Sequence, residues 1–185
     1  EQVFSTQAEA PASIPEGINI QVNGDYIILS WNPVPHATSY TIAGDGTMAV
    51  DLSVAPTPQR FVLPRIGLRL FLEPDRDQVV YYGRGPLENY PDRKRGSDLG
   101  LWSASTRELF TPYVATMECG NHEDTRWVAV GRKGRALLAR AQGTAMGFSA
   151  LPWSDEELAS VTHPRLLPKS TATVLCLSVR TLGVG

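Results

Sequence analysis

The chain has 185 residues, a formal net charge of -2 and 42% hydrophobic residues, the make-up of a folded domain with one substantial core or two small ones. Lys and Arg are scattered, and the densest group, Arg93, Lys94 and Arg95, lies beside Asp92 and Asp98, so local ion pairing is expected and a nucleic-acid partner is not. No apolar run approaches the roughly 20 residues of a membrane span, so no membrane partner is expected either.

In chain order, residues 1–15 read as a flexible lead-in, and residues 16–185 as the folded domain. The lead-in lacks an initiating Met and any apolar segment between basic and small residues, so no signal peptide is expected on it. The compartment stays open between bacterial cytoplasm and periplasm. Asn23-Gly24 is a strong hairpin signal ahead of the strand 26–29. Residues 29–42 resemble the first half of a fibronectin type III domain, with Trp31 as the inter-sheet aromatic. A whole domain of that kind needs roughly 100 residues, so the stretch is read as opening strands of a larger sandwich, with the fibronectin-like segment as the alternative. Pro33 and Pro35 would confine it to an edge or a connection.

Gly44-Asp45-Gly46 supplies a tight turn before the strand 48–52. Further β-rich runs follow at 68–72, 79–82, 127–130, 136–142 and 174–179, each bounded by turn residues. That is the pattern of an all-β, antiparallel protein. One short helix is expected over 154–160, with Ser154 as N-cap and Glu157 closing a capping box. Cys119 and Cys176, the only cysteines, make neither a disulfide framework nor a paired metal site, and buried free thiols are expected. A single bridge remains the alternative in an oxidising compartment. His36, His122 and His163 are too scattered to spell a metal site, and no metal or other cofactor is expected.

The most informative stretch is residues 83–93, Gly-Arg-Gly-Pro-Leu-Glu-Asn-Tyr-Pro-Asp-Arg. Gly83 and Gly85 permit backbone angles closed to other residues, while Pro86 and Pro91 fix φ and remove donors. The segment therefore reads as an ordered polar loop rather than a strand. With it come Leu63-Pro64-Arg65-Ile66-Gly67-Leu68, Thr111-Pro112-Tyr113-Val114, then Glu118, Gly120, Asp124, Arg126 and Trp127. Further on stand Phe148-Ser149-Ala150-Leu151-Pro152-Trp153 and Thr162-His163-Pro164. Taken together, from Tyr40 onward the sequence resembles the C-terminal domain, or small chain, of glycoside hydrolase family 2 β-galactosidases.

The resemblance implies an antiparallel supersandwich of the galactose mutarotase type, non-catalytic by itself. Family members hydrolyse terminal β-D-galactose with retention, using two glutamates about 5 Å apart. In the family both lie on a TIM-barrel domain that no part of this chain resembles. The expected partner is that barrel, in a parent that forms homo-oligomers. A sugar-stacking tryptophan of the family belongs to a glycine-rich block that would begin near Gly183 to Gly185, and the chain is expected to stop short of it. The residues offered for sugar or interdomain contact are Arg84, Glu88, Asn89, Tyr90, Asp92, Arg93, Glu118, Asp124, Arg126 and Trp127. An interdomain clamp is preferred over weak galactoside binding, and none is read as catalytic. Where many family members place an arginine, this chain has His122.

Two alternatives come from other classes. A carbohydrate-binding module would present an exposed Trp beside polar residues. A mutarotase-like enzyme would need a His and a Glu converging on the anomeric centre, for which His122 with Glu118 or Glu123 is the local source.

Overall fold

The computed structural model describes residues 2–4, 19–23, 26–30, 38–42, 47–52 and 64–183. Two compact units emerge, Glu1–Ile18 with Ser30–Val62, and Asn19–Leu29 with Leu63–Gly185. The smaller unit holds a three-stranded antiparallel sheet of β1 (Gln2–Phe4), β4 (Thr38–Ile42) and β5 (Met48–Leu52), in the order β1-β4-β5. The expected turn at Gly44 to Gly46 and Trp31 with its neighbouring prolines lie outside the described residues.

The larger unit contains two sheets. One has four strands in the order β11 (Arg135–Arg140), β10 (Trp127–Arg132), β7 (Gln78–Gly85) and β8 (Asp98–Ser105), all antiparallel. The other has six, in the order β3 (Tyr26–Ser30), β2 (Asn19–Asn23), β6 (Arg65–Leu72), β13 (Thr173–Thr181), β12 (Met146–Leu151) and β9 (His122–Thr125). The turn predicted at Asn23-Gly24 falls between neighbouring strands, although Gly24 itself lies outside the described residues.

The two layers meet through side chains that alternate inward. Val79, Tyr81, Val128 and Val130 face in from the four-stranded sheet, and Leu70, Leu72, Phe148, Ala150 and Leu175 are buried on the other. The Tyr81 ring lies 4.8 Å from the Phe148 ring, edge to face, and this contact spans the sandwich. Each fully buried aliphatic or aromatic side chain contributes about 2 kcal/mol by removal from water. The sandwich and its strands therefore match the sequence reading.

Two details depart from it. Strand β2 runs parallel to β6, with Ile20 beside Leu70 and Gln21 beside Phe71. Parallel neighbours need a long connection, and residues 24–64 separate β2 from β6, whereas local hairpin logic sees only antiparallel pairs. Second, Gly83, Arg84 and Gly85 belong to β7, and the loop begins at Pro86. Neither glycine has positive φ; what they supply is room. A Cβ on Gly85 would stand 2.4 Å from the Tyr81 hydroxyl and 2.8 Å from Trp102 Cδ1, and Trp102 crosses to donate its indole N–H to the Gly83 carbonyl at 3.3 Å.

The helix α1 (Asp155–Ala159) starts as expected. Ser154 Oγ accepts from the Glu157 N–H, and the Glu157 carboxylate accepts from the Ser154 N–H at 2.8 Å. No described helix is long and apolar enough to cross a membrane.

Candidate functional site: the braced polar loop

Residues 86–97 leave β7 and return into β8 along a path fixed mostly by side chains. Tyr90 and Arg93 exchange backbone hydrogen bonds around a turn with Pro91 second, where its preset φ fits. Asn89 is fully buried. Its Nδ2 donates to the carbonyls of Arg84 (3.1 Å) and Leu87 (3.0 Å), and its Oδ1 accepts from the Glu123 N–H (2.8 Å). Its backbone N–H donates to the Asn121 carbonyl at 2.7 Å, and the Asn121 Nδ2 returns a bond of 2.8 Å to the Asn89 carbonyl. Two asparagines thus stitch the loop to β9.

Glu88 lies beneath the loop, its side chain 8% exposed. One oxygen accepts from the Gly120 N–H at 2.7 Å; the other accepts from Arg93 at 2.7 Å and from the Tyr113 hydroxyl. Gly120 itself needs to be glycine, with φ of +72° and only 2.7 Å between a would-be Cβ and the Leu109 carbonyl.

The next layer runs through Tyr90, which is buried and donates to Glu118 Oε1 at 3.1 Å. Arg65 meets the same oxygen at 2.6 Å and also Asp155 at 3.0 Å, while Arg69 holds Asp155 and Glu156 at the start of α1. Burial pushes the Tyr90 phenol up, and the Glu118 and Glu88 charges push it further. For Glu118 burial also raises the pKa, by more than Arg65 and the Tyr90 hydrogen bond lower it.

Asp124 is the one non-glycine residue with positive φ among those described, at +53°. Its carboxylate takes Arg84 Nε at 2.5 Å and Lys94 at 3.1 Å. Partial burial opposes ionisation there, but those hydrogen bonds and charges prevail and hold the carboxyl below its ordinary range. Glu123 accepts from Asn121 and Thr181, both at 2.9 Å.

Of the ten residues singled out in the sequence, seven converge on this network: Arg84, Glu88, Asn89, Tyr90, Arg93, Glu118 and Asp124. The Arg126 guanidinium reaches the Asp124 carbonyl from an exposed position. Asp92 is exposed, its carboxylate against Gly183, where a Cβ would stand 2.1 Å from Cγ. Trp127 stands apart from the network, half-buried on β10 opposite Tyr82. Sequence reasoning missed Asn121, Lys94, Tyr113 and Thr181 as members. Their partners are distant in sequence, 32 positions from Asn121 to Asn89 and 58 from Thr181 to Glu123, so no local pattern marks them.

His122 points the other way, into the core. It is 1% exposed, lies 4.8 Å from the Tyr81 ring and stacks on Phe148 at 5.2 Å. Its Nδ1 lies 3.0 Å from the Arg84 carbonyl, which assigns that nitrogen the proton, and burial lowers its pKa to about 4. Cys119 and Cys176 are free and buried, and burial pushes the Cys119 thiol up to about 12. Among the described residues no three His, Cys, Asp or Glu side chains converge as a metal site would require. Trp153 is buried against Phe110 and donates to the Pro168 carbonyl at 2.9 Å.

These features define an all-β sandwich domain that carries a rigid, charge-braced loop at the end of a core strand. The chain belongs to the β-galactosidase small-chain family, whose profile matches residues 3–185. It is 34% identical to a β-galactosidase of Priestia megaterium (strain DSM 319 / IMG 1521) over 175 residues, covering 91% of this chain and 17% of that protein. It is 32% identical to a β-galactosidase of Arthrobacter sp. (strain B7), covering 98% of this chain and 18% of that one. A β-galactosidase of Lactococcus lactis subsp. lactis (strain IL1403) is 37% identical over 121 residues, 65% of this chain and 12% of the relative. The chain therefore spans less than a fifth of the length of these relatives.

Proposed function

We propose that this chain is a supporting domain of a β-galactosidase, without the catalytic carboxylates, that holds its braced loop against a catalytic barrel and takes part in subunit assembly. The whole enzyme would release terminal β-D-galactose from β-galactosides. The observation that carries the reading is Glu88. A retaining glycosidase needs two carboxylates about 5 Å apart and open to the sugar. Glu88 is buried with both oxygens occupied by Gly120, Arg93 and Tyr113.

The neighbouring carboxylates are held in the same manner: Glu118 by Arg65 and Tyr90, Glu123 by Asn121, Thr181 and Lys94, and Asp124 by Arg84 and Lys94. Each braces backbone or pairs with a cation. The position of His122, in the core between Tyr81 and Phe148, weighs against the mutarotase-like alternative, which needs that imidazole in an open groove.

The test combines a chromogenic β-galactoside assay on the isolated chain with ligand-observed NMR at millimolar galactose and lactose. No turnover and no saturable binding are expected. Hydrolysis by this chain alone would overturn the reading. Saturable binding lost in Trp127→Ala would replace it with a carbohydrate-binding module.

A further inference from the structure

The outer face of the four-stranded sheet is apolar at its centre, with polar residues toward its margins at Gln78, Arg84, Ser103 and Arg140. Strand β7 contains Val79-Val80-Tyr81-Tyr82, β10 opens Trp127-Val128-Ala129-Val130, and β11 contains Ala136-Leu137-Leu138-Ala139. None alternates apolar with polar, although only one face of this sheet meets the six-stranded layer. Strands apolar on both faces are the pattern of a sheet covered on both.

Register lines the outward residues up across the sheet. Leu101, Tyr82, Trp127 and Arg140 form one row; Ser103, Val80, Ala129 and Leu138 form another. Leu101 is 65% exposed and Leu138 61%, and Val80 and Tyr82 are open as well. Ala129 has a short side chain, so the middle of the surface is flat enough for another layer to approach closely. Among the described residues the surface continues to an open edge, because β8 is the last strand of its sheet and carries no charge after Asp98.

We infer that this outer face is where the rest of a β-galactosidase polypeptide packs. The inference rests on the supporting-domain reading above and adds which surface does the work. A contiguous apolar patch of this kind seldom stays uncovered on a folded protein. The occupant follows from length: this chain matches 17% and 18% of two relatives, so most of such a polypeptide lies outside it and is available to cover the face. A sugar fits worse. In these two rows polar groups stand only on Arg140, Ser103 and the rims of the Tyr82 and Trp127 rings, fewer than the hydroxyls of a pyranose need.

The test adds this chain to the Priestia megaterium β-galactosidase from which the matching 175 residues have been deleted. Association is measured by sedimentation and by restored activity. The double variant Leu101→Glu/Leu138→Glu is run in parallel, its folding checked by its unfolding midpoint. Separately, Leu101→Cys is labelled with an environment-sensitive fluorophore, which the buried Cys119 and Cys176 leave selective. Association that the double variant weakens at least tenfold, with a blue shift of the label on binding, is expected. Association indifferent to the double variant, with no shift, would overturn the inference and leave the supporting-domain reading standing. No association of the unmodified chain would overturn both. A dimer of this chain alone that the double variant dissociates, without any shift on adding the truncated enzyme, would assign the face to a second copy and overturn the inference.

Discussion

Asn89 uses every polar atom of its side chain, and each of the three partners of that side chain is a backbone group. Asn89→Ala would leave the Glu123 N–H without its partner, at about 1–3 kcal/mol for an unsatisfied buried group, while the Arg84 and Leu87 carbonyls lose one donor each and keep His122 Nδ1 and Ser97 Oγ. A loss of about 2 kcal/mol in urea unfolding is expected, with the midpoint moving and the slope unchanged. A change within 0.5 kcal/mol would show that water replaces the side chain. At this scale the sequence was half legible. A polar loop rich in Asn, Glu and Arg announced that its side chains have work to do, but not that Asn89 faces Asn121. The glycines were misread for a related reason: composition shows that Gly83 and Gly85 lack side chains, while only packing shows that Thr125 occupies the space at Gly83 and Tyr81 with Trp102 the space at Gly85.

Helix α1 shows the opposite case, an element whose signal is wholly local. Ser154 and Glu157 are three residues apart and cap each other, so the sequence placed the start of the helix correctly. The cap matters beyond the helix, since it fixes Asp155 and Glu156 where Arg65 and Arg69 of β6 reach them. Ser154→Ala is expected to cost about 1 kcal/mol. Ser154→Asp should restore most of that, and thermal unfolding of the two variants separates capping from loss of packing. Strand pairing carries no such local mark. The parallel contact between β2 and β6 joins residues roughly fifty apart, and nothing in Ile20 or Leu70 names the other.

For the larger unit as a whole, the pH response is set in part by His122. Burial lowers its pKa from the ordinary 6.5 to about 4, so between those values the unfolded chain binds a proton that the folded unit refuses. Its contribution is fully present above about 6.5 and is lost as pH falls through about 4, amounting to about 3 kcal/mol. Urea titrations at pH 7.5 and 4.5 should show that decline, and His122→Phe should flatten it despite a lower stability at pH 7.5. An unchanged slope in the variant would place the pH dependence on the carboxylates instead.

The stitching of residues 86–97 to β9 also has a meaning in time. Loops at the ends of strands commonly exchange their amide hydrogens through small local openings. Here the N–H groups of Asn89, Gly120 and Glu123 are tied to one another's segments, and none is released unless the loop and the strand part together. Their exchange rates would follow the opening of the sandwich itself. The segment therefore behaves as a fixed die, set once when the sandwich closes, and not as a lid that lifts and settles.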